Sequence, residues 1–232
     1  MDVAGEDEAG GGGLPDDDAA SRATTSRRDS TALTVVEVTP PAAGQAGGRG
    51  TGREQEAGSD LWTPGADPSP PILACRLPSY RVVDRRLWTG ARHSDLFATL
   101  VDLARNVWRA RHVVVDATGI GAGLASFLGA ALGPATVTPF VFSAASKSDL
   151  GWRLLAAIDG GRLKEYAPDG EEDTRLFWRQ LEACAYEVRP GPGKGLAWGV
   201  DDARLHDDLL LSLALVGALD DLDWRPRIAR GR

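Results

Sequence analysis

The run Val113-Val114-Val115-Asp116-Ala117-Thr118-Gly119-Ile120-Gly121 places an acid at the end of a short apolar stretch and follows it with glycines. Such a stretch reads as a buried parallel strand. The carboxyl end of such a strand, where a Gly-rich turn opens a helix, is where α/β sheets hold ligands. Two chemistries suit the pattern. One is dinucleotide binding, because Gly119, Gly121 and Gly123 are closely spaced. That fingerprint needs its acid about 20 residues after the glycines, at the end of the next strand, and the next apolar run ends at Phe142-Ser143 without one. The other is a carboxylate for a hard divalent cation, since Mg²⁺ and Mn²⁺ take a few carboxylate oxygens together with water and substrate phosphate. Further carboxylates are then required. His206-Asp207-Asp208 stands directly before the apolar segment Leu209 to Leu219, and Asp2 precedes Val3, where a strand could begin. Two acids at a helix start also complement the helix dipole. That would account for one of them but leaves His206 beside them unexplained. Lys147, at the start of another helical segment, has the wrong sign for the dipole, so it is either a phosphate contact or a solvated lysine.

The elements that must position these residues follow from periodicity. Residues 31–38 are β-branched and bounded by turn formers, which predicts a strand, and residues 79–89 read as a second, half-exposed strand. Leu96, Leu100, Leu103, Val107 and Trp108 lie at helical spacing, with Ser94 as N-cap. His112 to Asp116 is the buried strand, Gly119 to Leu132 a helix, Thr136 to Phe142 another buried strand, and Lys147 to Ile158 a helix stopped by Gly160-Gly161. Asp173 to Glu187 reads as one helix with Leu176, Phe177, Gln180, Leu181 and Cys184 on a stripe. Leu196 to Val200 reads as a short strand and Asp207 to Leu219 as a strongly apolar helix. Strand–helix–strand–helix alternation implies a mixed α/β domain with a partly parallel sheet. Arg81, Arg85 and Arg86 read as an exposed strand face, His93 and His112 as structural, and the seven tryptophans as packing residues.

Composition narrows the classes. The 232 residues include 28 Gly and 14 Pro, concentrated at the front of the chain. Residues 4–28 are low-complexity, and residues 40–71 form a Pro/Gly-rich insertion that cannot pack a core. The expected organisation is residues 1–38 (an acidic, Gly-rich loop and the first two strands), 39–72 (insertion), 73–222 (main body) and 223–232 (basic tail). No apolar run is long enough to span a bilayer and no secretory signal is visible, so no membrane partner and a cytoplasmic location are expected. Two distant cysteines, Cys75 and Cys184, exclude a disulfide framework and a structural zinc site. The net charge of −7 is matched by seven acids within residues 1–20. It argues against sequence-independent nucleic-acid binding by bulk charge, but not against an acidic site whose bound cations reverse the local field.

Taken together, residues 113–124, Pro139 to Ser143, Ser146 to Leu150, Gly160 to Tyr166 and His206 to Leu215 resemble, in order, the C-terminal nuclease domain of phage large terminase subunits. The resemblance covers residues 79–219 well and 1–38 more loosely. It implies an RNase H-like fold, a mixed sheet flanked by helices. It also implies that Asp2, Asp116 and one of Asp207 and Asp208 hold divalent metal, two Mg²⁺ or Mn²⁺ ions, and are the catalytic acids. His206 and Lys147 would stand behind the ligands or touch substrate. The implied reaction is two-metal hydrolysis of a phosphodiester, cutting concatemeric double-stranded DNA during genome packaging in a phage or prophage. The phage portal and the small terminase subunit are the implied partners. No Gly-x-x-x-x-Gly-Lys-Ser/Thr motif occurs, so the packaging ATPase is expected on a separate domain outside this chain. A first strand beginning just before Asp2 would be short, which opens the alternatives of an inactive prophage remnant or an assembly module. A third alternative, a junction resolvase, is disfavoured by His206-Asp207-Asp208.

Overall fold

The computed structural model describes residues 30–41, 77–191, 193–202 and 204–224. Asp2, Cys75, the loop expected over residues 4–28, all but the first two residues of the insertion expected over 40–71, and the basic residues from Arg225 onward lie outside them.

Strand β1 (Ser30–Thr39) pairs antiparallel with β2 (Ser79–Thr89), and β2 pairs in parallel with the two-residue β5 (Leu163–Lys164). β3 (Val113–Asp116) and β4 (Val137–Phe140) form a parallel pair, while β6 (Cys184–Val188) and β7 (Leu196–Val200) form an antiparallel hairpin. The helices are α1 (His93–Asp102), α2 (Gly121–Leu132), α3 (Ala144–Asp159), α4 (Glu172–Glu182) and α5 (Asp208–Ala214). α1 runs on into a π turn at Leu103–Val107, and α5 into a 3₁₀ turn at Leu215–Asp221. The class is mixed α/β with sheets flanked by helices, and the β3–α2–β4–α3 order matches the alternation legible in the sequence.

Side-chain alternation along a strand explains how the core divides. Val113 and Val115 face α1 and α2, with Leu96, Leu100, Leu124, Ala125 and Leu128. Val114 faces the other way, toward Leu150 and Leu154 of α3 and Leu209, Leu210 and Leu213 of α5. β1 repeats the division, with Leu33 on the α1/α2 side and Ala32 and Val36 on the other. Asp116, two residues beyond Val114, therefore leaves its strand on the α3/α5 side.

Three local expectations are corrected. The N-cap of α1 is Arg92, without a side-chain cap bond, and Ser94 lies inside the helix. The π turn rotates the helix face by an extra residue, so Leu96, Leu100 and Leu103 are buried while Val107 and Trp108 are exposed. The helix read over Asp173 to Glu187 ends at Glu182, and Cys184 to Val188 are strand β6.

Arg85 is also not on an exposed face. The β1–β2 register slips between Val35, paired with Asp84, and Val36, paired with Val82. The β-bulge adds one residue to β2 and inverts its alternation. Arg85 consequently shares the inner face with Val82 and Leu87, its side chain fully buried. Its Nη2 donates to both carboxylate oxygens of Glu165 at 3.0 and 3.1 Å, and the guanidinium lies 3.5 Å over the Phe177 ring. Asp173, in the first turn of α4, accepts the Leu87 N–H at 2.9 Å beside this pair. Burial pushes the Asp173 carboxyl up, against the Leu87 hydrogen bond that lowers it. An acid whose folded pKa is raised supplies stability that is complete below the ordinary Asp range and is lost as pH rises through the folded value. Asp173→Asn keeps an acceptor for Leu87 and removes the charge. Its melting temperature relative to wild type is expected to rise from the ordinary Asp range up to the raised folded value and to level off above it, as read by thermal melts from acid to neutral pH.

A second buried cluster fixes the 3₁₀ turn. Tyr80 donates to Asp220 Oδ1 at 2.6 Å, and Arg162 donates to both Asp220 oxygens and to the Pro78 carbonyl. Burial, with Asp220 beside it, pushes the Tyr80 phenol far above its ordinary value, so it stays a neutral donor here. No helix among the described residues is long and apolar enough to cross a membrane.

Candidate functional site

Asp116 closes β3 opposite Phe140 of β4 and is 8% exposed. Its Oδ1 accepts the Thr118 N–H at 2.7 Å, which turns the chain out of the strand. Gly119 then takes φ +56°, a conformation that glycine adopts without strain, and α2 begins at Gly121. The Thr118 hydroxyl accepts the Phe142 N–H at 2.8 Å, and Phe140 O accepts the Ala117 N–H at 2.7 Å. The carboxyl ends of both parallel strands are thus tied together.

The chain next enters α3 through a capping box. Ser146 N–H donates to Ser143 Oγ at 3.1 Å and Ser143 N–H donates to Ser146 Oγ at 2.8 Å. One residue on, Lys147 places its Nζ 3.5 Å from Asp207 Oδ2 and 5.3 Å over the Trp198 ring. The β6–β7 hairpin is held against this end of α3. Trp198 Nε1 donates to Lys147 O at 2.7 Å and Leu196 N–H donates to Ser148 Oγ at 2.7 Å. Gly199 is at φ +156°, and a Cβ there would stand 3.4 Å from Asp207 Oδ2 and 3.7 Å from Lys147 Nζ. These are ordinary van der Waals distances, so it is the positive φ, and not the space, that favours glycine here.

Gly151 sets the fit between α3 and the hairpin. A Cβ at that position would meet Trp198 Nε1, lie 2.5 Å from Trp198 Cδ1 and 2.8 Å from Leu196 Cδ2. Alanine would favour the helix by about 1 kcal/mol, but forcing a methyl into a packed contact costs about 1–3 kcal/mol. Gly151→Ala is thus expected to lower stability and to shift Trp198 away from Lys147. The check is a thermal melt together with the tryptophan emission spectrum.

Asp207 occupies the N-cap position of α5 (φ −104°, ψ 17°), and its carbonyl accepts the Leu211 N–H at 2.7 Å. Its side chain makes no cap bond. The bland explanation of this acid, that it caps the helix, therefore does not describe its carboxylate, which faces Lys147. Asp208 is the first residue of α5, half-buried, and His206 is exposed. The structure links Asp116 to Asp207 by a continuous chain of contacts, through Thr118, Phe142, the Ser143 cap and Lys147. Among the described residues, the sequence-derived candidates Lys147 and Asp207 meet directly. No group of three or more His, Cys, Asp or Glu residues among the described residues is placed to hold a metal ion, and the third acid of the expected set, Asp2, lies outside them. The oxygens that Asp116 and Asp207 offer are hard carboxylate donors of the kind Mg²⁺ and Mn²⁺ prefer.

No protein-family model matches the chain, and no curated protein matches it in sequence. Two solved structures are similar to it. Both are the large terminase nuclease from thermophilic phage G20c, one with bound cobalt and one with bound zinc. The cobalt structure is 23% identical, with a TM-score of 0.46, and the match covers 61% of this chain and 73% of that one. The zinc structure is 21% identical, with a TM-score of 0.42, covering 63% and 74%. Their family is the one whose motifs the sequence resembles.

Two residues that the sequence reading placed only on the α4 stripe lie beside the Lys147–Asp207 pair or the start of α5. Cys184 pairs with Val200 at the base of the hairpin. Burial pushes its thiol up, while a Gly199 backbone hydrogen bond lowers it, and both Asp207 and Lys147 act on it. Gln180 of α4, 1% exposed, accepts the Leu210 N–H through Oε1 at 3.0 Å. A lone amide on an otherwise apolar stripe was its only sequence signal.

Proposed function

We propose that this chain is a metal-dependent DNA endonuclease domain of the large-terminase type, RNase H-like, with residues 73–222 as its main body. Its proposed role is cutting concatemeric double-stranded DNA during phage or prophage genome packaging. The observation that carries the reading is the Asp207 carboxylate. It stands at a helix start without capping it, and faces Lys147 at the start of α3. Asp116 and Asp207, with Asp2 from the leading segment, are the residues that would hold Mg²⁺ or Mn²⁺. Such ions, when bound, activate water and stabilise the charge that develops on a phosphodiester.

The chain's own side chains do the rest. The Thr118 N–H orients Asp116, and the β6–β7 hairpin, held on α3 by Trp198 and Leu196, stands beside Asp207 and Lys147. Lys147 neutralises Asp207 and, with that charge otherwise balanced, would donate to a phosphate oxygen. His206 presents an exposed imidazole next to Asp207, where it would meet the DNA backbone. Asp208 is assigned to the start of α5 rather than to the ligands. The portal, the small subunit and a separately encoded or adjoining ATPase are the partners this role would require.

A second reading, a fold-retaining module without activity, draws on the absence of a three-acid cluster among the described residues. Incubating the purified chain with supercoiled plasmid and Mn²⁺ or Mg²⁺, with an EDTA control, separates the two. Metal-dependent nicking and linearisation is expected. A folded chain that leaves the plasmid intact with either metal would overturn the nuclease reading in favour of the module.

A further inference from the structure

We infer that Gln180 is a positioning residue for this site, capping α5 in place of Asp207 so that the Asp207 carboxylate stays turned toward Lys147. The inference rests on the nuclease reading only for its consequence, not for its geometry. An aspartate at an N-cap ordinarily spends its carboxylate on the N–H two or three residues ahead. Here the N–H three residues ahead belongs to Leu210, which is 1% exposed and so needs a partner. Gln180 reaches across from α4 to supply it, at 3.0 Å. The Asp207 Oδ2 is instead 3.5 Å from Lys147 Nζ, against the backbone of Gly199.

Gln180 is out of keeping with its surroundings, which is what makes it informative. It shares the inward stripe of α4 with Phe177, which is fully buried, and a buried amide is unfavourable unless bonded. An apolar residue would continue the stripe. It would also leave the Leu210 N–H unmet, and an N-cap carboxylate, here that of Asp207, is the group that ordinarily turns to take it. Gln180 removes that competing donor. It acts through Asp207 and touches neither substrate nor metal.

A purely structural tie between α4 and α5 would make a different prediction, and stability coupling in the metal-free chain tells them apart. Asp207→Ala in the wild-type background removes no cap, so the folding equilibrium should change little. In a Gln180→Met background Asp207 has become the cap, and Asp207→Ala should then cost about fivefold in that equilibrium, the usual loss on removing a cap. Equal effects of Asp207→Ala in both backgrounds would overturn the inference. A second arm measures Mn²⁺ binding by the paramagnetic signal of the free ion. Gln180→Met should weaken binding about tenfold, as loss of a residue behind a ligand does, while Gln180→Glu, which keeps an acceptor, should restore it. Wild-type-like binding in Gln180→Met, in a chain where Asp207→Asn abolishes it, would also overturn the inference. If the wild-type chain binds no Mn²⁺, the nuclease reading fails and the coupling arm alone decides. Should Gln180→Met not fold, Gln180→Asn withdraws the acceptor by one methylene and serves in both arms.

Discussion

Asp116→Asn is expected to abolish metal-dependent plasmid cleavage while leaving the chain folded. The substitution is close to isosteric. The asparagine carbonyl can accept the Thr118 N–H now bonded to Asp116 Oδ1 at 2.7 Å, so the turn into α2 keeps its geometry. What disappears is a negative charge in a position only 8% exposed. A buried carboxylate is unfavourable unless something compensates it, so removing the charge should not destabilise the fold. A change in stability within about 1 kcal/mol corresponds to about 2–4 °C in a domain of this size. The effect on cleavage should be at least about a hundredfold, because losing only the groups behind metal ligands already costs ten- to a hundredfold. Plasmid conversion by gel and a thermal melt on the same samples make the measurement. Cutting at the wild-type rate by Asp116→Asn would remove Asp116 from the proposed reaction. Asp207→Asn should behave alike in cleavage, with an added loss of the Lys147 ion pair.

The place of Asp116 at the end of β3 was legible in the sequence because three signals coincide: a continuous apolar run, a terminal acid and a glycine turn. The same signals gave β3, α2, β4 and α3 in order. Strand β6 was not legible, because Cys184 continues the i, i+3, i+4 stripe of α4 from Phe177, Gln180 and Leu181. The helix nonetheless stops at Glu182, where β6 takes up pairing with β7 instead. The inward turn of Arg85 was invisible for a different reason. A bulge changes strand parity without any marked residue type, here among Val82, Val83 and Asp84. His206-Asp207-Asp208 was legible as a chemical motif, but its division of labour was not. The start of α5 is completed by a residue thirty positions away on another helix, where Gln180 Oε1 accepts the Leu210 N–H.

The largest stability loss is expected where that bulge has its consequence. Glu165→Ala should destabilise the chain by about 3–5 kcal/mol, the usual result of leaving a buried charge without its partner. The Arg85 side chain is fully buried and Glu165 is only 16% exposed. Within the protein, the Arg85 Nε and Nη1 have no hydrogen-bond partner among the described residues, so the Nη2 bonds to Glu165 and the stacking on Phe177 are what hold the cation. Removing Glu165 leaves the Phe177 and Tyr166 rings, whose attraction for a cation is about 2 kcal/mol even when desolvated, and the Asp173 carboxylate nearby. Burial pushes the Glu165 carboxyl up in spite of Arg85. Relative to a free glutamate, its ionised form is therefore disfavoured by folding. The stability this group supplies is complete below the ordinary Glu range and falls as pH rises through the raised folded value. The pair as a whole is thus held at a cost, and Arg85→Met with Glu165→Leu should recover most or all of the loss seen in Glu165→Ala. Chemical denaturation of the wild type, the single variant and the double variant measures this directly. A double variant as unstable as Glu165→Ala would show that Arg85 stabilises the bulge itself. In that case the guanidinium, and not the ion pair, is what the inverted register of β2 requires.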